Sequence, residues 1–178
     1  MSAMASRYEN LVSLFQHLGA RHPEGWARSE VNEGIPQLMR FLFLRGMWKG
    51  VVREDDPAWI DAHVAASPRD PNGPLRGVGA ALRRLLAAGA DRRDLCELVR
   101  GMQYETLFQI AYLLDDPTPA WDDVRGEVPQ LEDVAWGLWA ENSKGHPIRR
   151  VDGLHERALD TDPTGREMRP PAKGTESL

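Results

Sequence analysis

Sixteen residues, Leu154 to Arg169, hold one histidine (His155), four carboxylates (Glu156, Asp160, Asp162, Glu167) and three arginines (Arg157, Arg166, Arg169). A histidine beside a carboxylate can act as a general base, because the acid holds the imidazole and stabilises its charged form. An arginine fork can take an anionic group. His155, Glu156, Asp162 and Arg166 are therefore candidates for a ligand site or a hydrolytic one. The competing structural account is that Asp162-Pro163-Thr164-Gly165 is a turn, with Asp first and Pro second, and that the flanking charges pair on the surface.

The chain has six tryptophans. Trp136 and Trp139 fall on opposite faces of any strand that contains them, so at least one lies outside a main core and is a candidate ligand or partner contact. The other chemistry-bearing types are sparse. His17 and His22 are five apart, which does not place them on one helical face, and no His-Glu-x-x-His occurs. Phosphate loops, dinucleotide glycine fingerprints, paired cysteines and serine elbows are absent from the sequence. No metal and no cofactor is expected. Gly73-Pro74-Leu75-Arg76-Gly77-Val78-Gly79 reads as the start of a helix packed closely on a neighbour, since helical periodicity runs through it.

Helices must position these residues. Ser6 to Glu9 has capping-box spacing, and Tyr8, Leu11, Val12, Phe15 and Leu18 then form one apolar stripe that stops at Gly19. The stretch from Arg21 to Gly34 reads as a connector. A second helix starts near Pro36 and is apolar almost all round from Leu38 to Trp48, so it is central to the core or shared with a partner chain. Asp56-Pro57 opens a third, ending at Ser67-Pro68 ahead of a loop to Pro74. A fourth runs from Leu75 to Gly89. Asp91 caps the fifth and longest, from Leu95 to Leu114, which should pack antiparallel on the fourth. Leu42, Leu82, Leu98, Met102 and Ile110 are the expected core. Cys96 reads as a buried thiol.

After Gly126 the pattern changes. Val134 to Trp139 reads as a strand, Glu141 to Pro147 as a turn, and Ile148 to Val151 as the returning strand. Leu154 to Leu159 is a short helical turn. The expected fold is mainly α: a compact array of about five helices with a small C-terminal β-hairpin at about 134–151, α+β at the margin. Residues 1–170 form one expected domain and 171–178 a flexible tail.

Composition narrows the function. Net charge is −5 over 178 residues, and neither side of Gly126 is basic, so nucleic acid is not an expected partner. No apolar run, Phe41 to Leu44 included, approaches the roughly 20 residues of a membrane span, so no membrane is expected. A single cysteine and no basic-then-apolar N-terminus predict a cytoplasmic protein.

Two functions stay open. One is a non-enzymatic protein-interaction or regulatory module, a homodimer with Trp48 or Phe43 as anchor. The other is a small hydrolase or anionic-ligand-binding protein with a polar site around His155 to Arg166. The first predicts an exposed apolar face; the second predicts that His155, an acid and an arginine converge.

Overall fold

In the computed structural model the chain is described over residues 3–67, 73–124, 126–128 and 134–170. These residues form seven α-helices: α1 Ala3–His17, α2 Pro23–Asn32, α3 Gln37–Trp48, α4 Ala58–Ala66, α5 Arg76–Ala87, α6 Arg92–Asp115 and α7 Leu154–Arg157. Two strands, β1 Leu138–Glu141 and β2 Pro147–Val151, pair antiparallel, with Leu138 opposite Val151 and Trp139 opposite Arg150. The protein is thus mainly helical with a small two-stranded sheet near its C-terminus. It divides into two compact units, Met1–Trp48 with Leu107–Leu178, and Lys49–Thr106. The expected tail at 171–178 and most of the expected loop before Pro74 lie outside the described residues.

The first unit is built on aromatic rings. Leu11 and Phe15 of α1, Trp26 and Ala27 of α2, and Phe41 of α3 form one buried cluster. Phe15 stacks on Trp26 at 6.0 Å between ring centres and meets Phe41 edge-on at 5.6 Å, arrangements that aromatic quadrupoles favour. Here α2 corrects the expected connector at Arg21 to Gly34. Pro23 occupies the first turn, where a missing N–H costs nothing, and Trp26, Ala27 and Val31 make the helical stripe. Helix α1 starts at Ala3, so Ser6 and Glu9 lie inside it rather than at its cap; Ala3, Met4 and Ala5 favour the extension.

Helix α3 turns polar side chains inward as well as apolar ones. Its buried face is Gln37, Arg40, Phe41, Leu44 and Trp48. Gln37 Nε2 donates to Ser29 Oγ at 2.9 Å, and Arg40 pairs with Asp152 at 2.6 Å. Gly153 follows with φ +65°, which favours glycine, and a Cβ there would come within 2.8 Å of the Arg40 guanidinium, which would have to shift. The Trp48 indole N–H reaches both Ala158 O (2.9 Å) and Thr161 Oγ1 (3.1 Å). Trp48 is therefore a core residue and not a dimer anchor, while Phe43 is half-buried. Leu42 lies on the opposite face from these contacts and is exposed, against expectation.

The Lys49–Thr106 unit packs Ile60, Leu82, Leu95 and Cys96 together. Asp91 caps α6 as expected, its Oδ1 accepting the Arg93 amide at 2.6 Å; Asp56 lies one residue further out than expected, since Pro57 directly precedes α4, though its Oδ1 accepts the Ala58 amide at 3.0 Å. Helix α5 lies along α4 rather than lengthwise on α6. Gly79 permits this, because a Cβ there would run into the backbone carbonyl of His63 and sit 2.8 Å from Ser67 Cβ. Cys96 is buried, and its sulfur accepts the Trp59 indole N–H at 3.2 Å.

Helix α6 is rotated relative to expectation. Its buried positions include Leu95, Cys96, Arg100, Leu107 and Ala111, whereas Leu98 and Met102 are 63% and 56% exposed and Ile110 also faces solvent. Of the five expected core residues only Leu82 is buried. The cause is visible at Val52. Arg100 Nη1 donates to Val52 O at 3.0 Å, and Gln103 Oε1 accepts the Val52 amide at 2.7 Å. Val52 packs partly buried against the core in an irregular segment, where its peptide groups need such partners, and α6 supplies them from the face opposite Leu98 and Met102.

Candidate functional site

The last turn of α6 leaves carbonyl groups without helical partners, and the chain beyond it provides them. The Trp136 indole N–H donates to Leu113 O at 2.7 Å, and the Arg150 guanidinium donates to Asp115 O at 3.0 Å. A cation there also complements the negative end of the helix. Trp136 meets Trp121 edge-on at 5.1 Å. It precedes β1, so Val134 to Gly137 are not strand; the indole is committed to α6 instead.

His155, in α7, is brought to the same helix end. Its backbone N–H donates to Asp115 Oδ2 at 3.0 Å, and its Nδ1 lies 2.6 Å from the same oxygen. The side chain of Asp115 is only 7% exposed, that of His155 26%. The ring is held edge-on against Tyr112 at 5.0 Å and Phe108 at 5.9 Å. Since an ionised carboxylate only accepts, Nδ1 must carry the proton in this bond, and in the neutral ring Nε2 keeps its lone pair. Among the described residues Nε2 has no hydrogen-bond partner. The Oδ1 atom of Asp115 is buried and likewise unbonded, so both contacts of this carboxylate fall on one oxygen and fix the ring.

His155 meets a carboxylate, and Arg150 bonds the backbone carbonyl of the same residue, so the partners are not those the local sequence offers. The acid is Asp115, forty positions away, and the arginine is Arg150. In sequence Asp115 reads only as the stop of a helix before Pro117. A capping aspartate one residue from another, Asp116, carries no signal that it will meet a histidine.

The remaining candidates have other duties or none that the contacts show. Asp162 is buried in its own turn, where its carboxylate accepts Thr164 N (3.0 Å), Thr164 Oγ1 (2.8 Å) and Met168 N (3.1 Å). That is the structural account of the Asp-Pro-Thr-Gly turn. Arg166 donates to the carbonyl of Arg169. Glu156 is exposed, and Trp139 is 52% exposed on β1, across from Arg150.

No group of three or more metal-ligating side chains occurs among the described residues, and none of the described helices is long and apolar enough to cross a membrane. Comparison with protein-family models, with curated proteins and with solved structures finds no match.

Proposed function

We propose that this chain is a protein-interaction module that pairs with a second copy of itself through the outward face of α6 in the Lys49–Thr106 unit. The observation that carries the reading is the exposure of Leu98 and Met102, one helical turn apart, at 63% and 56%. Two large apolar side chains side by side on a long helix favour association, and a closed two-fold pair is the commonest soluble arrangement. Across a two-fold axis between antiparallel copies of α6, Leu98 faces Met102 of the second copy.

Light scattering tests the proposal. The parent protein is expected to run as a dimer of its 20.0 kDa chain at micromolar concentration, and Leu98→Asp is expected to run as the monomer with unchanged helical circular dichroism. A parent protein that stays monomeric, or a dimer that Leu98→Asp leaves intact, overturns it.

A further inference from the structure

The other unit carries a feature that an interaction module does not need. His155 is held by four contacts: its amide and Nδ1 on Asp115 Oδ2, and its ring edge-on with Tyr112 and with Phe108. A surface histidine that merely caps a helix is free to rotate. Here a nearly buried carboxylate sets the tautomer and the plane of a ring that stays partly open to solvent, with Nε2 unbonded among the described residues. That is the relation between base and orienting acid that hydrolytic sites use.

We propose that His155 and Asp115 form a general-base centre that hydrolyses carboxylic esters with an aromatic leaving group. His155 is the catalytic residue and Asp115 the residue that positions it. Nε2 takes a proton from water as the water oxygen bonds to the acyl carbon and the carbonyl π pair moves onto its oxygen. Collapse of this tetrahedral species breaks the carbon–oxygen bond to the leaving group, and the imidazolium returns its proton to the departing phenolate. One ester and one water become one acid and one phenol, with no co-reactant needed.

The substrate class follows from the surroundings. No second acid lies against His155 among the described contacts, so the centre suits a leaving group that departs with little assistance, as a phenolate does. Tyr112 against the imidazole, and Trp136 at the same helix end and 41% exposed, provide aromatic surface for such a group. Arg150, anchored on the Asp115 carbonyl, brings a positive charge to the same helix end.

The test uses the full chain and 4-nitrophenyl acetate as probe. The parent protein is expected to exceed an equal concentration of free imidazole. His155→Gln should lower kcat about 100-fold, while His63→Gln and His146→Gln leave it unchanged. Asp115→Asn should lower kcat at least about tenfold with KM held, because the amide no longer selects the tautomer, and Asp115→Glu should recover part of the loss. Circular dichroism establishes that each variant is folded. If Asp115→Asn does not fold, carbethoxylation mapped by peptide mass decides instead, with His155 expected to react fastest of the five histidines. A parent rate no better than imidazole, or a folded His155→Gln with the parent rate, overturns the proposal. Because Leu98→Asp lies in the other unit, its effect on self-association leaves this result untouched, and the two proposals fail separately.

Discussion

Polar and apolar side chains are disposed in opposite ways in the two units. In the unit of residues 1–48 and 107–178, a histidine and a carboxylate are drawn together against aromatic rings, and α3 sends Arg40 inward to meet Asp152. In the unit of residues 49–106, Arg100 is drawn inward to hold the peptide group of Val52, and Leu98 and Met102 pass to the outside. In both, an arginine is buried: Arg40 reaches the exposed Asp152 carboxylate, and Arg100 answers the demand of the Val52 carbonyl for a donor. In the second unit the demand displaces apolar side chains from the core. The lesson is that the buried face of a helix is settled by what its neighbours leave unbonded as much as by hydrophobic periodicity.

The sharpest way to break this comparison is a pair of leucines three residues apart on α6. Leu95→Ala is expected to cost about 2 to 5 kcal/mol, as a truncation in a packed core does, whereas Leu98→Ala should change monomer stability by less than about 0.5 kcal/mol. Urea melts of both variants at a concentration where the chain is monomeric measure the difference. Equal losses would put the apolar stripe back in the core and remove the interface.

A smaller effect is expected at the glycines of α5. Gly79→Ala drives a methyl group into the His63 carbonyl and should cost about 1 to 3 kcal/mol. Gly77, one half-turn away, has nothing within 4 Å of its would-be Cβ, so Gly77→Ala should stabilise the helix by up to about 1 kcal/mol. Opposite signs in thermal melts confirm that α5 rests on α4 through Gly79; two losses, or two gains, would refute it.

The smallest effect is with pH. The hydrogen bond from Arg92 holds the Asp61 carboxyl below the usual carboxylate range, and Arg53 does the same for Asp55. A carboxyl depressed in the folded state contributes stability above its unfolded value of about 3.9, and that contribution is lost as pH falls through the lower folded value. Arg92→Ala should therefore lie slightly below the parent in stability near neutrality and converge with it on acidification. Both groups are exposed, so the separation should also shrink with added salt.

Much of the fold is legible in the sequence, and the reasons are local. The Asp91 cap, the Asp56 carboxylate on the first amide of α4, the proline before α3 and the turn residues between β1 and β2 act within a few positions of themselves. The Asp162 turn is legible on the same ground. What could not be read is non-local. The Arg21 to Gly34 segment is polar and carries Pro and Gly, so its helix is fixed by Trp26 meeting Phe15 and Phe41, not by its own composition. The rotation of α6 depends on Val52, far back in the chain. His155 stands out in the sequence, but its contact with Asp115 does not, because nothing in a helix-terminal aspartate announces a partner forty positions on.

The placement of Trp48 bears on the order in which the molecule can be completed. Its indole waits for Ala158 and Thr161, more than a hundred residues later, and Arg40 waits as long for Asp152. All of residues 49–106 are synthesised in between. During translation α1 to α3 can therefore gather around Phe15, Trp26 and Phe41 before Asp152, Ala158 and Thr161 exist. Only the final stretch of the chain brings those groups to α3. A chain cut short before Asp152 lacks them on its most hydrophobic helix, the kind of surface on which chaperones and proteases act.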